Sequence, residues 1–226
     1  MSAAPDRAGR RLRLAVAVAV IAALPATACS TTKDAMEAAP PESAYTQAEA
    51  YAPMEAAAAE TVDALADFPG FEKRSWTEMP CSHNGIEDPD YTKIEIRYLF
   101  TLPDSESELV RDQYTEALRG HWTELDYTIA TDEAVEGADR TDRNLVAVRE
   151  DGISLWYAVG GYVGLFIGSG CVPAGDKSEI EYIAPTGGIE PGGANDLVGD
   201  YFPEGIPATR EAIAPFATPE SFEGHL

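Results

Sequence analysis

Hydrophobic and polar positions change rhythm several times along this chain. Tyr51, Met54, Ala58, Val62 and Leu65 recur at spacings of three and four, the period of one helix face. Pro53 suits a first turn and Pro69-Gly70 a stop, so a helix is expected over about Ala52–Asp67. Phe71–Met79 reads as a strand. Tyr91–Leu102 reads as another: Ile94, Ile96, Tyr98 and Phe100 alternate with Lys93, Glu95 and Arg97. Pro103 ends it, and Ser105-x-x-Glu108 has the form of a capping box opening a second helix. That helix carries the stripe Val110, Tyr114, Leu118, Trp122 and Leu125 and runs to about Glu124, with Gly120 inside it at a cost of about 1 kcal/mol.

The remainder is β-like. Tyr127 and Ile129 suggest a short strand, and Asp132 to Asp142 an acidic loop. Asn144–Arg149, Ile153–Val159 and Tyr162–Ser169 then form a three-strand meander, joined by Asp151-Gly152, a type I′ turn pair, and by Gly160-Gly161. The order predicts an α+β two-layer sandwich over residues 46–172: two helices on a mostly antiparallel sheet of about five to six strands. Roughly a quarter of residues 172–226 are Gly or Pro, so 173–226 is expected to be a tail, partly docked or disordered.

Charge narrows the partners. With 16 Lys+Arg against 39 Asp+Glu, the formal charge is -23, which repels nucleic-acid phosphates and anionic lipid alike. The cations that exist are unevenly placed. Arg7, Arg10, Arg11 and Arg13 precede an uncharged run from Leu14 to Ala28. As a helix that run reaches only about 22 Å against roughly 30 Å of hydrocarbon, so residues 1–28 read as a cleaved export signal.

Ala26-Thr27-Ala28-Cys29 ends that run and resembles the lipobox of bacterial lipoproteins. The resemblance implies cleavage before Cys29 and diacylglycerol on its sulfur; the segment that follows, small, polar and proline-bearing with no apolar period, reads as a flexible tether, so 29–45 is the lipidated tether. Membrane lipid, reached through acylated Cys29, is then the first partner, on the outer face of the cell membrane; two or more acyl chains suffice for stable anchoring. With Cys29 lipidated, Cys81 and Cys171 remain as an even pair in an exported protein and are expected to form a disulfide.

Candidate chemistry is sparse. The strand after Gly161 is apolar or tiny on both faces, so both need covers. The helices supply one. The other is either the Pro/Gly-rich tail or an apolar or sugar ligand in a groove at Trp156, Tyr162 and Phe166, and the tail is favoured. Ser82–Asp90 gathers His83, Asn84, Glu87, Asp88 and Asp90, an oxygen-rich loop of the kind that holds Ca²⁺, though its spacing is not that of an EF-hand and no metal is assigned. Glu133, Glu136, Asp139 and Asp142 read as a solvated loop, and His121 as a helix-boundary residue. No nucleophile elbow, phosphate loop or zinc spacing occurs, so neither a catalytic residue nor a cofactor is assigned.

Trp76 with Cys81, and Ser169-Gly170-Cys171 closing the meander, give the body a likeness to small actinobacterial lipoproteins of the LppA type, a family that lends no activity. The expectation is therefore a non-catalytic binding or structural module of the cell envelope, partnered by an envelope protein or glycan. A transporter's substrate-binding lipoprotein and an extracellular hydrolase are the alternatives.

Overall fold

A computed structural model describes residues 42–83, 85–137 and 140–202. The export signal and Cys29 lie outside the described residues. Helix α1 spans Gln47–Asp63 and begins earlier than the apolar stripe indicates. The Thr46 hydroxyl accepts the Glu49 N–H while the Glu49 carboxylate accepts the Thr46 N–H, so the start is set by a capping box rather than by Pro53. Pro53 falls inside the helix.

Strands β1 (Lys73–His83) and β2 (Ile86–Leu99) follow. Thr101 caps a single turn, α2 (Leu102–Ser105), and Pro103 sits within that turn instead of ending the strand. Ser105 is not a cap; it is buried, and its hydroxyl accepts the Val163 N–H at 3.0 Å. A π-turn at Leu109–Gln113 leads into α3 (Tyr114–Glu124), which ends where the stripe predicts. Then come β3 (Thr128–Glu136), β4 (Thr141–Val148), β5 (Ser154–Val159), β6 (Val163–Pro173) and β7 (Asp196–Leu197).

The fold is α+β with a sheet of seven strands, ordered β3-β4-β5-β6-β2-β1-β7 and antiparallel except for β1 with β7. The expected five to six strands fall short because β7 comes from the tail. Both acidic segments expected as loops are largely hairpin. Glu133 faces Asn144 and Val135 faces Asp142, while Ser82 faces Glu87 and Cys81 faces Asp88. The Asp151-Gly152 turn is not type I′, since Gly152 has φ +87° but Asp151 is not left-handed. The loop instead closes through Arg149 N–H to the Ile153 carbonyl at 2.8 Å.

Met54, Ala58, Leu118 and Trp122 from the helices bury Ile96, Tyr98, Phe100, Leu155, Tyr157, Leu165 and Ile167 on one sheet face. Each large side chain removed from water contributes about 1.5–3 kcal/mol. Cys81 and Cys171 form a disulfide with Cα atoms 5.6 Å apart. Its two strands are not neighbours in the sheet. The register of β1 on β2 jumps from Pro80 opposite Thr92 to Cys81 opposite Asp88, so residues 89–91 bulge away from β1 and β1 reaches β6 past them.

The described part of the tail packs on the helix side, contributing buried Ile180, Ile189 and Val198. A buried polar network fastens it there. Arg74, wholly buried, donates from Nε to Asp196 and from Nη1 to Glu55 and the Ile183 carbonyl, each at 2.8 Å. Glu55 also accepts from the Trp76 indole at 3.0 Å and the Tyr98 hydroxyl at 2.5 Å. Asp196 accepts from the Tyr182 hydroxyl at 2.6 Å and the Gly192 N–H at 3.0 Å. Burial pushes the Glu55 carboxyl up from its ordinary value, against the opposing pull of Arg74 and the donors from Tyr98 and Trp76. Burial acts to lower Arg74, but Glu55, Tyr98 and Asp196 outweigh it and hold the guanidinium charged. Charges this deep are tolerated because nearly every lone pair and proton has a partner.

Candidate functional site

The second sheet face is built differently. One cross-strand row passes through all seven strands: Thr131, Val146, Trp156, Phe166, Arg97, Ser75 and Leu197. Directly paired residues of a sheet share a face, so this row lies opposite the helices. Trp156 and Phe166 have ring centroids 4.9 Å apart at an interplanar angle of 31°. The Trp156 indole N–H donates to Asn144 Oδ1 at 3.0 Å, which fixes the ring along the sheet. The Arg97 guanidinium stands 6.0 Å from the Phe166 centroid, and its Nε donates to Glu95.

Glycines flank Phe166 on its own strand. A Cβ on Gly164 would lie 2.5 Å from Leu99 Cδ2, and one on Gly168 would lie 2.7 Å from Ser154 Oγ. Neighbouring strands fill the space those missing side chains leave, so the face is a platform, not a cleft. Of the three residues read from the sequence, the structure brings Trp156 and Phe166 together. Tyr162 instead stands 53% exposed in the turn before β6, outside the paired row. Trp156 is 37% exposed. The expected cover over this face is not supplied by the described part of the tail, which packs on the helix side against Tyr51, Trp76 and Tyr98. Sequence alone misses Arg97 and Asn144 as site residues, because the register that places them beside the rings is set by long-range pairing.

Between α1 and α3 lies a groove of about 870 Å³ with Ala56, Ala64, Ala117 and Gly120 among its lining residues. Glu60, Asp63, Glu116, Glu124 and Arg149 also line it, as does His121, whose buried Nε2 has no hydrogen-bond partner among the described residues. The unsignalled spacing of these residues (two separate helices) hides the groove from a reading along the chain. Among the described residues no group of three or more His, Cys, Asp or Glu is placed to hold a metal ion; in the Ser82–Asp90 segment, Asn84 and the side chain of His83 lie outside them. Also among the described residues, no helix is long and apolar enough to cross a membrane.

No protein-family model matches this chain, and no curated protein matches it. Among solved structures it is similar to a crystal structure of a DUF4853 family protein from Actinomyces odontolyticus, at 11% identity and a TM-score of 0.37. The match covers 58% of this chain and 71% of that one. A likeness of that size carries no argument about the site.

Proposed function

We propose that this chain is an exported, lipid-anchored protein of the outer face of the cell membrane, and that its folded domain is a non-catalytic binding module. The observation that carries the reading is the Trp156–Phe166 pair, which no described residue covers while the described tail packs on the other face. The Cys81–Cys171 disulfide supports an oxidising compartment. Arginines, apolar run, small residues and Cys29, in that order, support export and acylation. Among the described residues there is one sheet around one core, with no second lobe to close over a transported substrate.

Two variants test the two halves of the proposal in a bacterial host. Cys29→Ser should shift the protein from the membrane pellet to the soluble fraction; retention in the pellet would contradict the anchor. Trp156→Ala, kept lipidated, should lose co-sedimentation with delipidated envelope material. Unchanged co-sedimentation would contradict the binding face.

A further inference from the structure

The described tail is fixed firmly at its root and lightly beyond it. At the root Cys171 is bonded to Cys81, and the Ala174 N–H donates to the Asp90 carbonyl at 2.9 Å. Ala174, Gly175 and Asp176 are then exposed. From Lys177 to Phe202 regular structure amounts to β7 and two single helical turns, Lys177–Glu179 and Gly199–Tyr201. Within that stretch only Ile180, Ile189, Asp196 and Val198 are buried. Besides the β7 pairing, the Gly187 carbonyl accepts the Phe71 N–H at 2.8 Å and the Asn195 carbonyl the Arg74 N–H at 2.9 Å. The Thr186 N–H donates to the Tyr98 hydroxyl at 3.2 Å. Lys177 meets Glu78 at 2.6 Å, but its side chain is half exposed and the pair contributes little. A segment with so few buried apolar groups opens at lower free energy than the sheet it covers.

The main fastening is one carboxylate that faces two ways. Asp196 accepts the Arg74 Nε of the body, and also the Tyr182 hydroxyl and the Gly192 N–H of its own segment. Losing the first contact frees the segment, while the other two keep it gathered. Arg74, Glu55 and Asp196 gave up hydration to be buried and regain it on opening, so a charged fastening holds less firmly than an apolar plug of the same size. Beneath the segment the rings of Tyr201 and Phe202 lie 5.5 and 5.7 Å from that of Trp76. The neighbouring Tyr51 hydroxyl is buried with no hydrogen-bond partner among the described residues, a cost that water relieves on opening.

We propose that residues 177–202 form a hinged strap that lifts from α1 and β1 as one unit while the sheet stays folded, uncovering an aromatic cleft of Tyr51 and Trp76 with Arg74 at its floor. The disulfide at the root keeps β1 joined to β6 throughout. The strap works on the helix side and is independent of the open face as a ligand surface.

The test is residue-resolved hydrogen exchange on the full-length protein in detergent. The Phe71 and Arg74 amides are the reporters, because they belong to the body and donate to strap carbonyls. Both should exchange about tenfold or more faster than the interior amides of β2 and β6. Asp196→Asn should speed both reporters by a further tenfold or so, and Tyr182→Phe by about threefold to tenfold, with β2 and β6 unchanged. The wild-type comparison and Tyr182→Phe decide the matter even if Asp196→Asn fails to fold. Reporters that exchange in step with β2 and β6, or variants that speed all of these amides equally, would overturn the strap. Acceleration at Arg74 without Phe71, whose acceptor lies nine residues from Asp196, would overturn its opening as one unit.

Discussion

The two faces of this sheet solve opposite problems with similar residues. On the helix side aromatic rings and charges are sealed: Trp76, Tyr98, Arg74, Glu55 and Asp196 form a network closed by the tail. On the other side Trp156, Phe166, Arg97 and Glu95 lie in the same kinds of contact but stay open to water. Partner saturation separates them. Arg74 is engaged by Asp196, Glu55 and Ile183, whereas Arg97, among the described residues, has the one ion-pair partner Glu95. The first arrangement contributes to stability, and the second is the one proposed for recognition.

That contrast is broken most severely at Arg74. Arg74→Met leaves Glu55 and Asp196 buried without their cation and should cost about 3–5 kcal/mol in urea unfolding, with release of the tail to protease. The Cys81→Ala/Cys171→Ala pair should cost about 2–5 kcal/mol by the same measurement, since the bridge closes 90 residues of chain. Trp156→Ala should cost under about 1 kcal/mol, because the ring is not in the core, while retention on envelope material should be lost. Gly120→Ala should raise stability by about 1 kcal/mol: the residue lies within α3, and a Cβ there meets nothing within 4 Å.

The smallest effect is one of pH. Hydrogen bonds from Arg119 hold the Asp132 carboxyl below its ordinary value. For Asp151, burial acts upward, but hydrogen bonds from Tyr45, Arg149 and the Ile153 N–H prevail and its value is also lowered. Their stabilisation is present above the unfolded carboxylate range, near pH 4, and is lost as pH falls below it. Thermal midpoints should therefore drop on the acid side, less steeply in Asp151→Asn. Glu55, shifted the other way, does not contribute to that loss.

Periodicity made both main helices and the meander legible, because their core faces are local patterns: Met54 with Ala58, Leu118 with Trp122, Leu155 with Tyr157. It misjudged starts and turns wherever one polar side chain decided the matter. Thr46 moved α1 forward, and Ser105 proved to be a buried acceptor for Val163 rather than a cap. Acidic hairpin arms looked like loops because edge and protruding strands need no apolar face. Glu55 carried no signal at all, for its meaning depends on Arg74, Trp76 and Tyr98 arriving from other strands. For the platform, Trp156 and Phe166 were readable as exposed aromatics on one strand pair; Arg97 and Asn144 entered only with the register.

Solute quenching of tryptophan fluorescence puts the open face to the most direct trial. Of the three tryptophans, Trp122 is 0% and Trp76 5% exposed, so acrylamide reaches chiefly Trp156. A saturating soluble extract of delipidated envelope material should shield that emission and lower the quenching constant toward that of a Trp156→Phe variant. A ligand that binds and leaves quenching of Trp156 unchanged would place recognition elsewhere and contradict the account.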